Sequence, residues 1–358
     1  MRQIAIRTLL TISLATPAAV FGQVPATERA AFNLPPGQSV APNTPGGAVV
    51  VGSNLYTGDG AQGFRHWKAA DPTNPDPINT GTLVFDPTIG FSLGGTLLCL
   101  PFCEVGQIAF DGNQNVYFPA YDHAKGNGAT VPGVYRVSID PVRGFLTQEV
   151  QLAPNAGLAG NNPTSIALGP DGNLYVGFLK NGSVVRIVNP NVLPFDDPQK
   201  TQVVQAVGTA PNGRGVRSMA FSGADLYLAT SDGLAVIRNA VAATCQGGCN
   251  GVALADGFAG VDHVGITGDG LNRLYLAING HGVYRYTISS GAMTLVSTGG
   301  PDANSGVFTP FAFVGGHSNL LQLDRLGSLW IGDDSSDGHA NFTGRIWYLS
   351  AGVLSGIQ

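Results

Sequence analysis

The chain has 358 residues, with 18 Lys and Arg against 23 Asp and Glu for a formal net charge of −5, and only 11% of its residues are charged. No Lys/Arg-rich run is present, which argues against nucleic-acid binding through phosphates, and a hydrophobic content of 44% excludes a disordered chain. The 51 Gly and 23 Pro point instead to many tight turns between short strands.

Residues 1–22 carry Arg2 and Arg7, an apolar stretch from Thr8 to Phe21 and small residues near Gly22. This reads as a secretory signal peptide cleaved near Gly22 or Gln23, so a secreted or periplasmic protein is expected. The stretch is too short and too early for a membrane span, and no later segment holds about 18 unbroken apolar residues, so none is expected in the mature chain. Residues 23–45 are rich in Pro, Ala and Asn and lack periodicity, which suits an extended lead-in.

From residue 46 to 358 one pattern recurs: an apolar strand, a Gly/Asp/Asn turn, then Leu-Tyr or its equivalent. Its copies are Ala48–Tyr56 (degenerate), Ile108–Tyr117, Ile166–Tyr175, Met219–Tyr227, Val264–Tyr275 and Leu321–Trp330. Self-similarity at roughly 45–60 residues, with four short strands per unit, predicts an all-β six-bladed β-propeller. Its units span 46–98, 104–153, 162–209, 215–256, 261–298 and 315–354. The last has no clear fourth strand after Arg345–Leu349, so the lead-in around Ala30–Leu34 is expected to supply it, because a closed ring leaves no open edge. Arg136, Arg186, Arg238, Arg285 and Arg345 recur on third strands, one per blade, and read as structural.

The four Cys form two local pairs, Cys99/Cys103 and Cys245/Cys249, which in an exported chain read as two small disulfide loops. The repeat register puts the pairs on opposite faces, which argues against a shared zinc site.

In such a ring the loops that enter first strands and leave second strands share one face, the mouth. Five of the six His map there. His263 and His317 precede the first strands of blades five and six, nearest the axis. His123, His281 and His339 follow second strands, and His66 sits apart on a third strand beside Trp67. Imidazole suits Zn, Cu or Fe better than Ca or Mg, so His263, His317, His123 and His281 are the candidate ligands of a divalent metal with open positions for water or substrate. Asp262, Asp122 and the acidic loop Asp333–His339 offer carboxylates to orient those rings. Calcium in that loop is a lesser expectation, because EF-hand spacing is missing. Glu104 is the candidate general base, Arg217 the candidate holder of an anion or oxyanion, and His339 a further acid/base candidate. The competing structural reading keeps these His as ordinary loop residues and pairs Glu104 with Arg217. No haem-attachment, phosphate-loop, Gly-x-Ser-x-Gly or His-Glu-x-x-His motif is present.

Pro163–Tyr175 followed by Asn181–Ile187 resembles the NHL-repeat propellers and the wider superfamily of streptogramin lyases and SMP-30/gluconolactonase-type hydrolases. That resemblance implies a propeller with a divalent metal at the axis, used for lactone hydrolysis or ring-opening elimination, or else a non-catalytic binding scaffold. The first blade begins Pro45-Gly-Gly-Ala48 where the SMP-30 pattern places a Glu, and blade four offers Arg217, so the streptogramin-lyase comparison fits better. The expected function is metal-assisted hydrolysis or elimination on a small organic substrate. The alternative is a propeller that binds a protein, glycan or metal without turnover.

Overall fold

The computed structural model describes residues 24–31, 45–51, 54–59, 63–67, 82–83, 103–122, 133–139, 146–153, 156, 158–192, 203–242, 249–301, 306–313, 320–336 and 342–357. Their strands form six sheets of four or five strands and one two-stranded ribbon, Gly299–Pro301 with Phe308–Pro310. The innermost strands of the six sheets are, in chain order, Pro45–Val51, Ala109–Phe110, Pro163–Leu168, Val216–Ser222, His263–Gly268 and Leu321–Leu323. Each packs on the next, and Pro45–Val51 also touches Leu321–Leu323, which makes the ring of a β-propeller.

Alternation along the strands explains this packing. Residues on facing sides of consecutive sheets fill five apolar clusters, for example Val49, Tyr56, Ile108, Val116 and Tyr135 between the first and second sheets. The recurrent aromatic of the second strand belongs to these clusters in five sheets, as Tyr56, Tyr117, Tyr175, Tyr227 and Tyr275, and in the sixth Trp330 is buried as well. At Gly106 the inner strands approach so closely that a side chain does not fit. A Cβ on Gly106 would lie 2.1 Å from the Thr164 carbonyl oxygen.

An innermost strand has no inward neighbour, so alternate N–H and C=O groups point at the axis. Short polar side chains of adjacent sheets satisfy several of them. Thr164 donates to the Val216 carbonyl at 2.6 Å, Ser218 accepts from the Ile266 N–H at 3.1 Å, and Thr267 accepts from Leu323 N–H at 3.2 Å. Gln107 reaches furthest: its Nε2 donates to the Met219 carbonyl at 2.7 Å while its Oε1 accepts from Met219 N–H at 2.8 Å. One amide thereby ties the second sheet to the fourth.

The last sheet is completed from the other end of the chain. Thr27–Ala31 pairs antiparallel with Phe342–Leu349, Thr27 opposite Tyr348 and Ala31 opposite Arg345. The pairing falls a few residues before the expected Ala30–Leu34. Three of the five repeated Arg side chains act as the structural staples that the sequence suggests. Arg136 donates to the Asn191 carbonyl, Arg186 to Val241 and Arg285 to Ile357, each reaching beyond its own sheet. Arg238 instead pairs with Asp225 in its own sheet. A short helix, Ala351–Gly356, follows the last strand, capped by Ser350 accepting from Val353 N–H; the sequence reading does not anticipate it. Among the described residues no helix is long and apolar enough to cross a membrane. Residues 1–23, with the expected signal peptide, lie outside the described residues.

Candidate functional site

The register of each sheet puts one inner-strand residue opposite the second-strand aromatic. Those residues are Val49, Ala109, Ala167, Ala220, Thr267 and Gln322, facing Tyr56, Tyr117, Tyr175, Tyr227, Tyr275 and Trp330. All six line one axial cavity of about 450 Å³. Three are Ala, and that small size leaves the space. The cavity continues to Phe110, Leu168, Phe221, Leu323 and Arg325, where inner strands turn into second strands. It therefore sits at the hairpin end of the ring, opposite the mouth that the sequence reading singles out. Gln107 lines it as well, and its bridge to Met219 crosses the axis there.

Among the described lining residues the ionisable side chains are Asp111, Asp324 and Arg325. Both carboxylates hold their own turns. Asp111 Oδ1 accepts from the N–H groups of Asn113, Gln114 and Asn115, and its Oδ2 accepts from the Asn115 side chain. Asp324 Oδ1 accepts from Leu326 and Ser328, and its Oδ2 from Trp330 Nε1 at 3.0 Å. Arg325 leans across the rim: its Nη2 donates to the Gly112 carbonyl at 2.9 Å and its guanidinium carbon lies 5.9 Å from the Phe110 ring centroid.

At the mouth, Arg217 makes two contacts with Asp262, Nε to Oδ1 at 3.1 Å and Nη2 to Oδ2 at 3.2 Å, with little of either side chain exposed. Asp262 is thus engaged with Arg217 rather than orienting His263. The His263 ring is fully buried, with Nδ1 2.9 Å from the Val261 carbonyl oxygen and Nε2 2.6 Å from Asp256 Oδ2. A carbonyl oxygen only accepts, so Nδ1 carries a proton. The Nε2–Oδ2 contact holds one more proton between ring and carboxylate. Burial pushes the Asp256 carboxyl up, but the His263 contact and the Phe258 N–H outweigh it and leave the carboxyl below its usual 3.8. In this arrangement both ring nitrogens are occupied, so His263 does not fit the ligand role expected of it. His281 is exposed, its ring 5.0 Å from that of Phe258.

His123, His317 and His339 lie outside the described residues, as do Cys99 and Cys245; of Glu104, Cys103 and His66 only the backbone is described, in strands. Cys249 is disulfide-bonded; the expected pairings with Cys245 and of Cys99 with Cys103 stay expectations. Among the described residues no group of three or more His, Cys, Asp or Glu is arranged to hold a metal ion. Sequence reasoning missed Asp256, Gln107 and Arg325. The signal for Gln107 was a lone amide just before the second repeat; for Arg325, a cation directly after the Asp that opens its turn, where the second repeat has Gly112.

No family model and no curated protein matches the chain. Solved structures do match in shape. A structural-genomics protein of unknown function from Bacteroides thetaiotaomicron shares 13% identity at a TM-score of 0.54, over 92% of this chain and 75% of that one. A luciferin-regenerating enzyme shares 12% at 0.52, over 86% and 91%. A virginiamycin B lyase from Staphylococcus aureus shares 14% at 0.46, over 90% and 95%. Identities this low carry the fold alone: the chain is an all-β protein with the β-propeller fold.

Proposed function

We propose that this chain is an exported six-bladed propeller, each large sheet one blade, that binds a small organic molecule in its axial cavity. The observation that carries the reading is the cavity itself. Its volume of about 450 Å³ falls in the range of small-molecule sites, roughly 300–1,000 Å³. Small apolar side chains and a larger share of polar surface meet there, while both described carboxylates are spent on their own turns, which favours binding over acid/base chemistry. A thermal-shift screen of small organic molecules tests it, using wild type and an Ala109→Phe variant that fills the cavity. Compounds that stabilise the wild type and leave the variant unmoved support the reading. Stabilisation that is equal in both, or absent from the whole screen, defeats it.

The metal-dependent hydrolase or lyase remains a second proposal, favoured by the exposed His281 ring at the mouth. Its ligand set would be His281 with His123 and His317, and Glu104, Arg217 and His339 would serve the reaction. A divalent Zn, Cu or Fe would there polarise a carbonyl or activate water. Elemental mass spectrometry on periplasmically produced protein, with and without His281→Ala, tests this. About one metal per chain, lost in the variant, supports it; the same metal content in both refutes it.

A further inference from the structure

The axial cavity is two-sided, and we infer from that asymmetry that its ligand is an amphipathic carboxylic acid: a flat apolar body bearing one carboxylate. The inference rests on the cavity being a binding site. On the arc made by the second to fourth sheets the lining includes Ala109-Phe110, Ala167-Leu168 and Ala220-Phe221, a small residue followed by a large apolar one in each sheet, beside Gln107 and Asp111. The Ala positions make a shallow shelf, with Phe110 and Phe221 next in each strand and the Phe221 ring edge-on to Tyr175 at 4.8 Å. Such a wall takes a planar apolar group by area burial and ring contact. The arc made by the fifth and sixth sheets is different at the same register positions. Thr267 and Gln322 replace the Ala, and Arg325 follows at the rim.

Arg325 supplies the recognition. Arg325 is exposed at the rim, where one of its donors is used on Gly112 and its guanidinium carbon lies 5.9 Å from the Phe110 ring centroid. A guanidinium presents a planar fork of five donors that matches a carboxylate. Asp111 and Asp324 do not cancel it as hydrogen-bonding groups, because both oxygens of each accept from their own turns. The pairing joins the two arcs: the cation that receives the head group is held on the aromatic ring that receives the body.

The test compares 1-naphthylacetate with 1-naphthylacetamide, the same body with a charged or a neutral planar head, by fluorescence titration and thermal shift. The acid is expected to bind about tenfold more tightly than the amide, the usual advantage of a charge-assisted hydrogen bond. Arg325→Gln should bring the acid down to the amide, and Ala109→Phe should abolish both while retaining a cooperative melt. Equal binding of acid and amide, still blocked by Ala109→Phe, overturns the acid class and leaves the cavity as a binding site. Acid preference that survives Arg325→Gln overturns the role of Arg325. Binding that survives Ala109→Phe overturns both the inference and the cavity reading, whereas no saturable binding by either probe overturns the inference alone.

Discussion

Replacing Gln107 with Leu keeps side-chain volume and removes the amide that crosses the axis. Two short hydrogen bonds go with it, Nε2 to the Met219 carbonyl at 2.7 Å and Met219 N–H to Oε1 at 2.8 Å; the third contact, from Ile166 N–H at 3.3 Å, is too long to count fully. Leu leaves a backbone donor and acceptor without partners, at about 1–3 kcal/mol each when buried. Water from the adjoining cavity can meet part of that need, so the expected loss is about 2–4 kcal/mol. At roughly 2–4 °C per kcal/mol for a large domain, the melting temperature should fall by about 5–15 °C. Gln107→Glu should do at least as badly at neutral pH, because a carboxylate oxygen then faces the Met219 carbonyl. It should recover at acid pH, where a protonated Glu can donate. Urea unfolding with an unchanged m-value is the assay. A loss below about 0.5 kcal/mol for the Leu variant would refute the reasoning, since it would mean the axial amide is replaceable by solvent.

His263→Ala should destabilise by about 3–5 kcal/mol, because it leaves the Asp256 carboxylate buried without its partner; metal content of the purified protein should not change, and a loss of bound metal would contradict the geometry. The Asp256 carboxyl lies below its unfolded value of 3.8, so its contribution is present above that pH and is lost as pH falls through the lower folded value. Acid unfolding followed by fluorescence should show this component, and Asp256→Asn should remove it; identical acid profiles would count against the pair. Deleting residues 24–31 strips the closing strand and the buried Ala26, and a fall in melting temperature of about 10 °C or more is expected; an unchanged melt would show that the strand is dispensable. Gly106→Ala puts a methyl 2.1 Å from the Thr164 oxygen; a loss of more than about 3 kcal/mol is expected from such overpacking, readable as insoluble expression, and a normal yield would show that the strands can part.

The fold was legible because the repeat is written in short-range chemistry. Asp-Gly turns, strand alternation and the Leu-Tyr pair are local, so Ile166–Tyr175 or Met219–Tyr227 can be placed without knowing what lies opposite. The stapling role of Arg136, Arg186 and Arg285 was legible for the same reason, through position in the repeat. The site was not. Register correctly puts His263 at the start of an inner strand, but strand position does not say whether its ring faces the channel or turns inward to Asp256. The neighbour in sequence, Asp262, seemed the natural partner, yet Arg217 takes it. The cavity depends on Ala109, Ala167 and Ala220 being small at matched positions on separate sheets. A small apolar residue in a strand carries no signal by itself; it becomes informative only when the register aligns it with its counterparts.

The pairing of Thr27–Ala31 with Phe342–Leu349 also sets an order of events. The strand that completes the ring leaves the ribosome long before its partner. Until the final sheet arrives, the early strand has nowhere to dock, and every partial ring presents two raw sheet edges. Contacts between such remote segments are slow to form, and exposed edges in the interval invite pairing between molecules. The yield of refolded protein should therefore fall as concentration rises, and a circular permutant that places residues 24–31 directly after 357 should suffer less, because the closing step becomes local.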